Sequence, residues 1–240
     1  MPQITYREIN MLKRLMVTSL FLIITASVNA KTVWSNYSIS YLLGDSYEVG
    51  DSSREVITFE YTAGTTWGDT FMFFDRLESS DGSVETYGEF APRYKIKDLD
   101  GFIKSVYIAP AIEMGPGTNY LLGVGTDLAV PNFNFFQLNA YIRDNADGDM
   151  SFQTTVVWGL PIGPLTYGGF IDFATGVDNT VFGDTQAQLN FTSQLKYDIA
   201  EYLGSDTKVY IGVEYVFWNN KFGIDGVDER NMNLLMQYHF

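Results

Sequence analysis

The sequence has no cysteine among its 240 residues. Disulfides and thiolate metal sites are therefore excluded. It has one histidine, His239. Ser/His nucleophilic chemistry needs a histidine beside the nucleophile, and a residue next to the carboxy-terminus is poorly placed for that. This argues against an enzyme, an outer-membrane phospholipase included. Basic residues are scarce, 15 Lys and Arg against 29 Asp and Glu, for a formal charge of −14. A chain so acidic repels polyanions, so nucleic-acid polymers are poor partners. After the leader, no apolar run approaches the 18 or so residues of a membrane helix. If the protein lies in a membrane it must be a barrel, because only helices and closed barrels satisfy their backbone in lipid.

The amino-terminus reads as a leader. Lys13 and Arg14 form a positive region, Leu15 to Ala26 is mainly apolar, and Val28 and Ala30 are small residues before Lys31. That is the layout of a secretory signal peptide over residues 1–30. Met11 offers a second start, which would place residues 1–10 outside the translated protein. The leader holds Arg7, Lys13, Arg14 and Glu8, so the remaining 31–240 is more acidic still.

From Trp34 onward, short segments alternate between apolar and polar residues, separated by turn residues. The last ten residues show it best. Phe240, Tyr238, Met236, Leu234 and Met232 share one parity, opposite His239, Gln237, Leu235, Asn233 and Asn231, which are mostly polar. Successive strand side chains point to opposite faces, so this is one greasy face and one wet face. About ten residues also suffice for a tilted strand to cross a bilayer. The same pattern recurs to give about twelve strands, an even number that returns both ends to one side. The expected fold is all-β: a transmembrane antiparallel up-and-down β-barrel, one domain over 31–240. The terminal Phe240 would serve the barrel-insertion machinery as its recognition point.

The wet parity carries the candidate pore lining. Glu89, Arg93, Lys95, Arg143, Asp172, Lys196 and Glu214 all fall on it, with Tyr107, Tyr141, Tyr210 and Trp218. The charges are expected to pair across strands while presenting fixed donors and acceptors to a polar solute. The aromatics can stack on a planar ring. Phe71, Phe73 and Asp75 share a parity too, assigned to the lumen through Asp75. The connections expected outside the cell run near 44–54, 79–85, 115–118, 144–150, 176–185 and 219–229, and are strongly acidic. An acidic mouth favours cations and neutral solutes over anions.

Two motif-like stretches carry little. Gly123-Val124-Gly125 lies in a strand pattern with no following helix, so it is no dinucleotide fingerprint. Asp144 to Asp149 lacks the EF-hand register and its distal glutamate, leaving a solvated loop. No cofactor or metal is expected.

Several segments together resemble the nucleoside-specific outer-membrane channel family, Tsx, especially its OmpK-type members. They are Gly68 to Asp75, Tyr87 to Arg93, Gly169 to Asp172, Gly212 to Tyr215, Asn220 to Gly223 and Tyr238 to Phe240. The resemblance spans 31–240 and rests on the order and spacing of the segments. It implies a narrow twelve-stranded barrel in the Gram-negative outer membrane, passing nucleosides and small nutrients and sometimes exploited by phages. The competing expectation is a non-conducting barrel that acts as a receptor or adhesin through its loops.

Overall fold

A computed structural model describes residues 31–240. The signal-peptide reading of 1–30 lies outside the described residues. Twelve strands form one closed antiparallel barrel, each paired with its sequence neighbours and β1 paired with β12. They are β1 (Thr32–Gly44), β2 (Arg54–Thr65), β3 (Gly68–Ser79), β4 (Val84–Asp98), β5 (Ile103–Met114) and β6 (Thr118–Leu128). The second half holds β7 (Phe135–Asp144), β8 (Ser151–Ile162), β9 (Leu165–Ala174), β10 (Gln188–Asp198), β11 (Val209–Asn219) and β12 (Glu229–His239).

Closure follows from the alternation at the two ends of the chain. Ile39, Tyr41 and Leu43 pair with Tyr238, Met236 and Leu234, and Ser38 and Ser40 pair with His239 and Gln237. In these pairs apolar meets apolar outside and polar meets polar inside, with Leu42–Leu235 the apolar pair on the inner face. A slip of one residue would exchange the faces, so the pattern fixes the register. Outside, Ile39, Tyr41, Ile57, Val124, Ile142, Ile211 and Leu234 are exposed, as a lipid-facing belt requires.

Glycines on the outer wall give aromatic rings room to lie flat. Trp158 pairs with Gly169, covers it and stacks on Phe191 at 5.6 Å. Phe74 covers Gly88 in the same way.

The loops at the two ends of the barrel differ in length. The connections at one end are 45–53, 80–83, 115–117, 145–150, 175–187 and 220–228; at the other they are 66–67, 99–102, 129–134, 163–164 and 199–208. The first set holds the longer loops on the whole and marks the extracellular end. However, 115–117 is tight, and 199–208 on the periplasmic side is long. The latter carries a one-turn helix, α1 (Ala200–Leu203), closed by Gly204 in the left-handed region at φ 64°.

Two outcomes are expected. Val213 and Leu234 face each other across β11 and β12 on the apolar side, near mid-strand. Arg at either should cost about 2 to 4 kcal/mol in a lipid-bilayer unfolding titration. Gln194→Arg, on the wet face beside Glu214, should cost far less. Equal losses would mean the faces are inverted. Removing Phe240 should lower the assembled fraction seen by heat-modifiable gel mobility. It takes away the Phe240 amide bond to the Tyr37 carbonyl (3.1 Å) and the rings packed on Tyr37 and Tyr238. Unchanged assembly would remove its anchoring role.

Candidate functional site: the barrel lumen

Twelve strands lie between eight, whose interior side chains fill, and sixteen, which leave an aqueous channel. Inward side chains therefore determine what is open. Strand pairing puts Phe71, Phe73 and Asp75 opposite Thr62, Glu60 and Thr58, all on the wet face of β2. Glu89, Arg93, Tyr141, Arg143, Asp172, Lys196, Glu214 and Trp218 fall on the same inner face of their strands. Their packing sorts them into groups that sequence reasoning did not distinguish.

Near the periplasmic end, Arg93 acts as a clamp through its Nε and Nη2, while its buried Nη1 has no hydrogen-bond partner among the described residues. Its Nε and Nη2 donate to both oxygens of Asp69 (2.8 and 2.6 Å), and Nη2 also donates to Asp127 (2.9 Å). Tyr107 donates its hydroxyl to the other Asp127 oxygen (2.6 Å), and its ring lies 4.2 Å from the guanidinium. Bidentate charge-assisted bonds of this kind are the strong ones. The clamp joins β3, β4, β5 and β6. Tyr107 is buried in it, which corrects its expected role as a free stacking surface. Lys95 also departs from expectation. A bulge follows it, and it pairs with Asp98 (3.2 Å) at the exposed rim.

Higher up, Arg143 is bound to Glu113 through Nη2 (2.7 Å) and Nε (3.2 Å), and also donates to Asn145. Lys196 reaches past Gly212 on β11 to the Gln237 carbonyl oxygen on β12 (2.8 Å). The expected mutual pairing among Glu89, Arg93, Lys95, Arg143, Lys196 and Glu214 is therefore not what forms. Arg93 and Arg143 take other carboxylates, Asp69, Asp127 and Glu113, and Lys196 takes an amide.

That leaves acid in the middle of the lumen. Asp75 accepts from Thr58 (2.6 Å), Asp172 from Thr155 (2.5 Å), and Glu214 from Gln194 (2.8 Å) and Asn233 (3.0 Å). Neutral donors orient these three without cancelling their charge. Glu60 and Glu89 face the same space. Among the described residues, none of the five has a cation within 4 Å. Beside them an aromatic wall runs along β3 and β4, with Phe71–Phe73 and Phe73–Tyr87 ring centroids each 5.7 Å apart. Tyr141 is buried against Ala109, Ala111 and Leu121.

The extracellular mouth holds what the sequence did not reveal. Lys221 donates to Glu229 (2.5 Å), and both are buried, at 6% and 1% exposure. Its ammonium lies 5.0 Å from the Trp218 ring and 5.6 Å from that of Tyr47. Burial lowers the Lys221 pKa from its ordinary value, and Glu229 opposes that shift. Trp218 itself donates to Gln188 (3.0 Å). At the opposite end His239, expected to be a polar lumenal or rim residue, bonds Asn36 (2.8 Å) and Gln237 (3.2 Å). The described residues contain no group of three or more His, Cys, Asp or Glu able to hold a metal ion.

No family model matches the sequence, and no curated protein matches it. Solved structures do match. The NanC porin superposes with a TM-score of 0.56 at 13% identity, covering 85% of this chain and 99% of that one. The KdgM porin superposes with a TM-score of 0.50 at 11% identity, again over 85% and 99%. Likeness at these identities is likeness of fold. The chain has the closed transmembrane β-barrel fold that these porins share.

Proposed function

We propose that this barrel is a passive outer-membrane channel for small polar solutes, and that nucleosides are among them. The observation that carries the reading is the mid-lumen pairing of an aromatic wall, Phe71, Phe73 and Tyr87, with carboxylates held by neutral donors. A planar base stacks on such rings with little regard to its identity. Ribose hydroxyls donate to carboxylates in charge-assisted bonds. The segments resembling the Tsx family support the same solute. Phe71, Phe73, Asp75, Glu89, Asp172 and Glu214 would form the solute path. Arg93, Tyr141, Arg143 and Lys196 would shape its wall, and Trp218 would stand at its entrance. Binding must stay weak enough for exit. Nucleotides should fare worse than nucleosides, because the acidic lumen repels phosphate. In this reading the insertion machinery meets the strand that ends at Phe240.

A second reading, recognition at the cell surface by a phage or another partner, is favoured by one observation. Val181 and Phe182 are 80% and 97% exposed at the tip of the 175–187 loop. That loop is tied to 145–150, through Val181 N–H to Asp147 (2.9 Å) and Asn179 to Asp149 (2.8 Å).

Planar-bilayer recording tests the channel. Adenosine and thymidine should reduce single-channel current saturably, glucose should not, and Phe73→Ala and Trp218→Ala should weaken the block. Current reduced equally by all three solutes would leave a general porin. Liposomes that fail to swell in nucleosides or sugars would favour the surface-recognition reading.

A further inference from the structure

The wet face of the barrel has an apolar interruption. Leu42 on β1, Val56 on β2, Leu77 on β3 and Leu235 on β12 all lie on the inward parity, the first three near the extracellular ends of their strands and Leu235 further down, paired with Leu42. Their neighbours on that face are Ser38, Ser40, Thr58, Asp75, Asn233 and Gln237. Inward leucines would be costly in an open aqueous lumen. Leu42, Val56 and Leu235 are instead 3–6% exposed, and Tyr47 packs against them. Tyr47 belongs to the β1–β2 connection, so this loop turns into the barrel.

The far side of the loop is tied to the β3–β4 connection, where Asp51 Oδ2 accepts from Ser80 Oγ (2.7 Å) and the Asp81 amide (2.8 Å); the Tyr47 side is tied to β12, the β11–β12 connection and β2. The Tyr47 hydroxyl donates to Asn233 Oδ1 (3.1 Å), and Asn233 in turn donates to Glu214 (3.0 Å) in the mid-lumen acid group. Glu229 Oε2 accepts the Glu48 amide (2.9 Å) together with the Lys221 ammonium (2.5 Å). One carboxylate oxygen thus fastens both the β1–β2 and β11–β12 connections. Arg54 lies 5.2 Å from the Tyr47 ring centre and donates to the Val49 and Asp51 carbonyls, which shapes the loop. Apart from Tyr47 and Val49 the loop sequence is Asp, Ser, Glu and Gly. Its seat therefore depends on a single ring and a few polar bonds. Withdrawal would expose the leucine pocket and leave the strand ladders untouched.

We propose that the 45–53 loop is a removable cover over the extracellular end of the lumen, with Tyr47 as its plug and Glu229–Lys221 as its catch. Resting on the channel reading, this cover is the outer constriction, and it sets which solutes reach the acidic aromatic zone below.

The absence of cysteine allows a direct test. Leu235→Cys places one thiol beneath the Tyr47 ring. In the intact barrel in proteoliposomes, a bulky membrane-impermeant maleimide should label it slowly. Adding Tyr47→Ala should speed labelling at least about tenfold, since a buried ring's contacts no longer oppose opening. Lys221→Met should speed it less, and Tyr47→Phe, which keeps the ring, least of all. Single-channel conductance should rise in the same order. Labelling equally fast with and without the Tyr47 ring would overturn the cover. A gain in labelling with no current from any variant would uphold the cover and overturn the channel. Should Tyr47→Ala fail to assemble, Lys221→Met decides: unchanged labelling there would also overturn the cover.

Discussion

The ladder between β1 and β12 is the bond on which everything else rests. A strand in lipid has no water to satisfy its amides and carbonyls, and each unpaired group costs several kcal/mol. Closure removes every free edge. It also gathers the inward side chains of β12 against β1 and β2. Glu229, Asn231, Asn233, Leu235 and Gln237 are all nearly inaccessible there. The seam is closely packed on its lumenal side. It receives the inward loop, the Lys221 catch, and Lys196 reaching over from β10.

The lumen divides its charges by partner. Arg93, Arg143 and Lys221 are fixed to carboxylates, and Lys196 to an amide. Its mid-level acids are held by hydroxyls and amides. Breaking an inward pair would strand a charge, so the paired groups are rigid framework. The acids held by neutral donors keep their field for whatever passes. On the proposed channel reading, cation preference is the expected consequence, because each arginine is already answered by acid and further acid remains.

Much of this was legible in the sequence, because a period of two is a strong local signal. Tyr37, Ile39, Tyr41 and Leu43 against Asn36, Ser38 and Ser40 announce one strand and both its faces. Assigning Asp75 inward was enough to carry Phe71 and Phe73 with it. Pair identity was not legible. Asp69 and Asp127 meet on Arg93 only through the register of four strands. Tyr47 looked like an ordinary loop residue, because its environment is made by Leu42, Val56 and Leu235, and the last of these is far away in the chain. The inward parity of Leu42 and Leu235 was the available clue: apolar residues on a wet face imply a cover.

The central claim is a conducting lumen whose unneutralised charge is acidic. The most direct measurement is the zero-current potential of the purified barrel in a planar bilayer under a potassium chloride gradient. The account predicts a potential with the sign of cation preference, which diminishes in Asp172→Asn and Glu214→Gln. A potential near zero or of the anion-selective sign, unmoved by those changes, would contradict it.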